Sequence, residues 1–186
     1  GEAAVELHLG DAGAEARIFI GQRIGADQAV ELRRSQSAAE IGRDRDAARR
    51  EDVGRFLVVS SACVYPRLCA IPTPETEGFR GSPEASNEGY GWAKRMAEYA
   101  GQAYAEEYGM EVAIARAYNA YGPRDHFDTE HSHVIAALVK RVCDGADPVA
   151  VWGDGQATRS FLYVDDCARG LLEVAEKYPK ADPLNI

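Results

Sequence analysis

At 186 residues the chain is long enough for a domain with a real hydrophobic core, and 46% apolar residues is ordinary for a soluble globular protein. A formal net charge of −9 excludes a broadly basic nucleic-acid surface and argues against an anionic membrane as partner, while leaving room for local arginines to hold a phosphate-bearing ligand. The chain contains no apolar run of about 18 residues and no signal-peptide pattern, which points to a soluble cytoplasmic protein.

Residues 1–50 are rich in Ala, Arg, Asp, Glu and Gly and carry little apolar periodicity. Val5, Leu7 and Leu9 alternate and predict a short strand before Gly10. Ile18-Phe19-Ile20 is an apolar island, and 27–50 reads as a polar helix without a clear stripe. From Arg55 the pattern sharpens. Phe56-Leu57-Val58-Val59 predicts a buried strand closed by Ser60-Ser61. A loop with Pro66, Pro72, Pro74 and Pro83 follows. Residues 89–108 predict a helix with Ala93, Met96, Ala97, Ala100 and Tyr104 on one face and Gly109 as its C-terminal cap. Val112, Ile114 and Ala115 predict a strand, and Tyr118 to His131 a loop. Ser132 is placed to cap a helix carrying Val134, Ile135, Leu138, Val139 and Val142. Val149 to Trp152 reads as a strand, Gly153-Asp154-Gly155 as a turn and Phe161 to Val164 as a strand. Asp165 then opens a helix to about Glu176. Strands alternating with helices predict an α/β fold with a mainly parallel sheet. Cys63, Cys69, Cys143 and Cys167 fall at irregular spacing, so neither a metal centre nor a disulfide framework is expected, and free thiols fit a reducing compartment.

The strongest chemical signal is Tyr90-Gly-Trp-Ala-Lys94. Residues i and i+4 share a helix face. A free phenol titrates near ~10 and is a poor proton donor or acceptor at neutrality, whereas a neighbouring ammonium favours the phenolate. A serine at a strand end, such as Ser61, can hold a substrate oxygen beside the Tyr. Taken alone, such a pair is a weak signal, and the other polar residues have plainer readings too. Cys63 can be a small buried hydrophobe, His133 a helix-start residue, Trp152 part of a core, and Arg141 and Arg159 surface charges.

Together, Ser60-Ser61-Ala62-Cys63-Val64-Tyr65-Pro66, Tyr90-x-x-x-Lys94 and Asn119-Ala-Tyr121-Gly122-Pro123 resemble the extended short-chain dehydrogenase/reductase group, the NAD-dependent epimerase/dehydratase family. Ser132-His133-Val134-Ile135, Trp152-Gly-Asp-Gly and Arg159-Ser-Phe161-Leu-Tyr-Val-Asp165-Asp166 narrow the resemblance to its GDP-L-fucose synthase branch, continuously from about Gly54 to Ile186.

The resemblance implies a Rossmann-like, mainly parallel sheet that lacks the first strand–helix–strand units, with the beginning of a small substrate domain. On that division, 1–122 is a partial cofactor domain whose residues 1–50 match poorly. Residues 123–157 belong to the substrate domain, 158–178 return to the cofactor domain, and 179–186 start the substrate domain's continuation. The implied cofactor is NADP or NAD, the implied substrate a nucleotide sugar, GDP-linked. A homodimer through the Tyr90 helix is also implied.

By motif, Ser61 and Tyr90 polarise the C4 oxygen and Lys94 supports Tyr90. Cys63 and His133 invert carbons beside the keto group. Ser60, Ser61, Tyr90, Lys94, Ala117, Asn119, Ala120 and His133 line the cofactor site. Arg141, Trp152 and Arg159 hold the nucleotide, since a guanidinium suits phosphate oxygens.

Two departures stand out. Gly10-Asp-Ala-Gly13-Ala-Glu-Ala16 partly matches a pyrophosphate-cradling glycine motif, but it lies too close to Ser60 to leave room for the intervening units, so it is read as a decoy. Ala117 and Ala136 stand where the family usually has proline. Rival readings are a GDP-mannose 3,5-epimerase-like enzyme, which the Ala-Cys pair and Thr158-Arg159-Ser160-Phe161 also suit, and an inactive fragment of either.

Overall fold

The structure, a computed structural model, describes residues 6–7, 17–20, 30–33, 48–50, 53–128, 132–178 and 180–186. In chain order its strands and α-helices are β1 (Glu6–Leu7), β2 (Arg17–Ile20), β3 (Val30–Arg33), β4 (Arg55–Ser61), α1 (Glu88–Tyr108), β5 (Glu111–Ala117), β6 (Asn119–Tyr121), α2 (Val134–Cys143), β7 (Phe161–Tyr163), α3 (Val164–Lys177) and β8 (Pro183–Asn185). Residues 48–50 are helical, and short 3-10 turns occupy Ala62–Val64, Glu75–Phe79 and Ala85–Asn87.

The centre of the fold is the parallel sheet β4-β5-β8. Its apolar run is covered on both faces, as a continuous hydrophobic strand requires. Side chains alternate across a strand. Leu57, Ala113 and Ala115 therefore pack with Cys167, Leu171, Val174 and Ala175 of α3, while Val58, Val112 and Ile114 pack with Ala97 of α1. The sheet is a filling between two helices, which is the expected α/β architecture. Burying a side chain such as Leu57 or Ile114 contributes roughly 1.5–3 kcal/mol. Gly109, at φ +66, ends α1 as expected, its N–H donating to the Ala105 carbonyl at 3.1 Å.

Several sequence expectations change. The polar helix over 27–50 is replaced at 30–33 by β3, where Val-Glu-Leu-Arg has strand periodicity, and is kept at 48–50; the rest of that stretch lies outside the described residues. The loop from Tyr118 contains β6, paired in parallel with β7, because a three-residue strand leaves no periodicity to read. Val149 to Trp152 forms no strand. The Ala150 carbonyl takes the Arg141 guanidinium rather than a ladder N–H. His133, not Ser132, is the residue flanking α2, and no side chain caps that end. The helix expected from Asp165 starts at Val164. Residues 183–185, expected to lead into a second domain, instead add β8 to the main sheet, with Ile186 N donating to Arg116 O and Tyr118 N to Ile186 O.

The apolar stripe on α1 is the largest correction. Its buried side is Gly91, Lys94, Arg95, Ala97, Glu98 and Gly101, while Met96 is half exposed. A hydrophobic pattern finds the core face only when the core is apolar, and here the core takes in charged side chains.

Candidate active site

The carboxyl ends of parallel strands form the rim where ligands bind in such sheets. At that rim β4 ends in Ser60-Ser61, in register with Arg116-Ala117 of β5. The chain then turns through the Ala62–Val64 3-10 segment, which Ser61 opens by accepting the Cys63 N–H at 3.2 Å. Ser61 and Cys63 are both half-buried on this turn.

Helix α1 seats on the turn through four consecutive contacts. Gly91 lies so close that an added Cβ would stand 2.5 Å from the Cys63 carbonyl oxygen and 2.5 Å from Pro83 Cβ. Lys94 Nζ donates to Val59 O at 2.9 Å. Arg95 donates twice to Val64 O, at 2.9 and 2.6 Å. Glu98 accepts the Ser60 hydroxyl. Tyr90 is therefore presented from the first turn of α1 with 38% of its surface open, and Lys94 Nζ sits 5.4 Å from its ring centroid. The expected Tyr–Lys pair is thus brought to the same strand ends as Ser61 and Cys63.

Beneath it lies a buried ion pair that the sequence reading missed. Arg116 and Glu98 are 1% and 0% exposed and join in a two-pronged bridge, Nε to Oε1 at 2.8 Å and NH2 to Oε2 at 2.7 Å. Burial alone would depress the Arg116 pKa, but the Glu98 bonds outweigh it and the group is held above its ordinary range. Arg116 NH1 also donates to Tyr65 OH at 2.9 Å and to Glu75 O at 2.6 Å, and Tyr65 OH donates to Asn185 Oδ1 at 2.6 Å. Burial raises the Tyr65 phenol pKa despite the nearby guanidinium. Arg95, also buried, is pushed down by desolvation and lies over the rings of Trp92 and Phe79. Two signals mark these residues in the sequence: Glu98 continues the Tyr90, Lys94 spacing, and strand alternation turns Arg116 to the α1 side of β5.

The remaining expected residues lie further along the chain. Ala117 ends β5 beside Ser61. Asn119 and Ala120 are exposed on β6, and Asn119 Nδ2 donates to Ser160 O at 2.9 Å. His133 is exposed at the start of α2. Arg141 lies over the Trp152 ring at 5.6 Å, while Trp152 itself is 85% exposed. Arg159 is exposed and bonds only locally, to Thr158 O at 2.8 Å. The Ser60 hydroxyl is directed to Glu98 rather than to the rim. His131 and most of 1–50 lie outside the described residues. Among the described residues no three His, Cys, Asp or Glu side chains cluster as a metal site would need, and no helix is long and apolar enough to cross a membrane.

The family model described as "NAD dependent epimerase/dehydratase family" matches residues 45–186. A putative GDP-L-fucose synthase 2 of Oryza sativa is 40% identical over 76% of this chain and 42% of its own length. The GDP-L-fucose synthase of Escherichia coli is 38% identical over 70% of this chain and 42% of its own. A GDP-L-fucose synthetase structure from Naegleria fowleri bound to NADP superposes with TM-score 0.70 at 28% identity, covering 80% of this chain and 50% of that one. The chain spans about half the length of these relatives, or somewhat less.

Proposed function

The chain belongs to the NAD dependent epimerase/dehydratase family, and from that premise we propose that it carries the catalytic half of an NADP- or NAD-dependent nucleotide-sugar epimerase/reductase of the GDP-L-fucose synthase kind. The observation that carries this reading is the Tyr90–Lys94 pair set by α1 over the ends of β4 and β5, with Lys94 buried against Val59 O and beside the Tyr90 ring.

The residues fit the nicotinamide end of a dinucleotide. A phenol, a buried ammonium and a serine hydroxyl stand at the carboxyl ends of parallel strands, where an open α/β sheet takes such a ligand. No glycine-rich strand–turn–helix occurs among the described residues. The segment that resembles one in sequence, Gly10 to Ala16, lies outside the described residues. The proposed cofactor contacts are accordingly Ser61, Tyr90, Lys94, Ala117, Asn119, Ala120 and His133, with Ser60 contributing its main chain. When bound, the reduced nicotinamide supplies a hydride to the sugar's C4.

This chain's own residues handle protons and orientation. Ser61 donates a hydrogen bond to the C4 carbonyl oxygen. Tyr90 delivers the proton that this oxygen gains on reduction, and the Lys94 charge stabilises the phenolate left behind. Cys63 and His133 remove and return protons at the carbons flanking the keto group, where the carbonyl acidifies the C–H. Arg141, Trp152 and Arg159 take the nucleotide, the guanidiniums on phosphate oxygens and the indole on the base. A soluble nucleotide-sugar substrate and free thiols support a cytoplasmic setting as part of this reading.

Helix α1 leaves Trp92, Met96 and Tyr99 exposed at i, i+4 and i+7, which supports a homodimer through this face. A monomer in light scattering at high concentration would remove that part of the reading.

The test is a calorimetric titration of the folded chain with NADPH and NADH, followed by turnover of GDP-4-keto-6-deoxymannose. Binding with net NADPH consumption is expected, and Tyr90→Phe should cut turnover by about 10²–10⁴ without loss of fold. Redox-neutral isomerisation would favour the 3,5-epimerase-like reading. No cofactor binding by a folded chain would sink both.

A further inference from the structure

Tyr90, Lys94 and Glu98 stand at i, i+4 and i+8, one stripe along α1. The first two belong to the proposed chemistry. The third lies wholly inside the protein and touches no ligand surface, yet it accepts three side-chain hydrogen bonds. Its Oε1 accepts from both Arg116 Nε and Ser60 Oγ, and its Oε2 from Arg116 NH2.

A fully buried ion pair is a poor way to gain stability, because desolvating both charges offsets most of their attraction. An apolar pair of the same volume commonly does as well or better. What a two-pronged carboxylate–guanidinium bridge supplies is direction, since both partners are planar and each bond fixes the other. Here the direction is imposed on one short segment. Through Glu98 the pair holds Ser60, the residue before the turn. Through Arg116 it holds Tyr65, the residue after it. Arg116 is also the β5 residue in register with Ser60, so ladder, ion pair and serine hydroxyl close a ring around the turn's entry.

We infer that Glu98 is a positioning residue: locked by Arg116, it clasps the Ser61–Val64 turn from both ends and holds the Ser61 hydroxyl and Cys63 thiol in place beneath Tyr90. The proposed reductase–epimerase reading, on which this rests, explains why the turn matters; the placement itself is testable without turnover.

Two variants of the full chain separate positioning from bulk stability. Ser60→Ala removes the hydroxyl link and leaves the ion pair. The double variant Glu98→Leu with Arg116→Met removes both charges together, so no buried charge is stranded. Amide hydrogen exchange is read for residues 61–65, with α3 amides as internal reference, beside the thermal midpoint. Ser60→Ala is expected to exchange about five-fold faster in the turn, one hydrogen bond's worth of local opening. The double variant should exchange at least about ten-fold faster there, with α3 unchanged and a thermal midpoint no lower than the parent's. Turn amides protected as in the parent, in either variant that folds, would overturn the inference, and Ser60→Ala alone decides it should the double variant fail to fold. Where the parent turns substrate over, kcat is expected to fall in both variants with KM unchanged. A parent with no turnover would count against the functional reading only, since the exchange rates stand on their own.

Discussion

The two halves of the candidate site are built by opposite means. Tyr90, Lys94, Ser61 and Cys63 sit on a turn and a helix fixed from beneath by buried Glu98, Arg116 and Arg95, the first two bonded to more than one partner and Arg95 bonded twice to Val64 O. Arg141, Trp152 and Arg159 lie on exposed or half-exposed chain, the two arginines each bonded to one nearby carbonyl and Trp152 met by the Arg141 guanidinium. The contrast teaches that reacting groups need a position that exists before the substrate arrives, whereas groups that grip a flexible nucleotide can take their final place from the ligand. Preorganisation is strongest where bonds form and break, and under the proposed function the buried polar groups lie beneath that half.

The sharpest way to break this comparison is Arg116→Ala. It strands the Glu98 charge in the interior and should cost about 3–5 kcal/mol, a large share of a domain's stability. Urea unfolding checks it, and a loss comparable to a surface substitution would mean that the pair carries no structural weight. Gly91→Ala should follow at roughly 1–3 kcal/mol, because the new methyl meets the Cys63 carbonyl and Pro83, and helix and turn must part to admit it. The same unfolding series reads it, and a crystal structure would show α1 displaced at its first turn.

A smaller effect concerns pH. Burial pushes the Cys167 thiol pKa up. A group whose folded value is raised leaves stability intact below its unfolded value, near ~8.5, and stability then falls as pH rises through the folded value, because the unfolded chain releases its proton first. The urea midpoint should therefore decline as pH rises above about 8.5, and Cys167→Ala should flatten that slope. An unchanged slope would show that another group governs it. The smallest expected change in stability comes from Trp152→Ala, within about 0.5 kcal/mol, yet it should weaken GDP binding about ten-fold, as loss of an aromatic contact does. A destabilised Trp152→Ala protein with parental GDP affinity would reverse the roles given to the two halves.

The sequence by itself determined the alternation of strands and helices, the two-sided burial of Phe56 to Val59 and the Gly109 stop, because periodicity and backbone conformation are local properties. It also marked Ser61, Tyr90 and Lys94 as candidates by type and spacing, and Cys63 through the family resemblance. It misplaced the buried face of α1, gave Val149 to Trp152 a strand and assigned the last residues away from the main sheet. Only the tertiary structure decided those points. Whether Glu98 lies in water or in a core depends on Arg116 arriving from another strand. Whether a β-prone segment becomes a strand depends on a free ladder beside it, and β8 exists because β5 offers an edge far away in sequence. Pairing partners of this kind are absent from any local window of sequence, so the fold alone could reveal them.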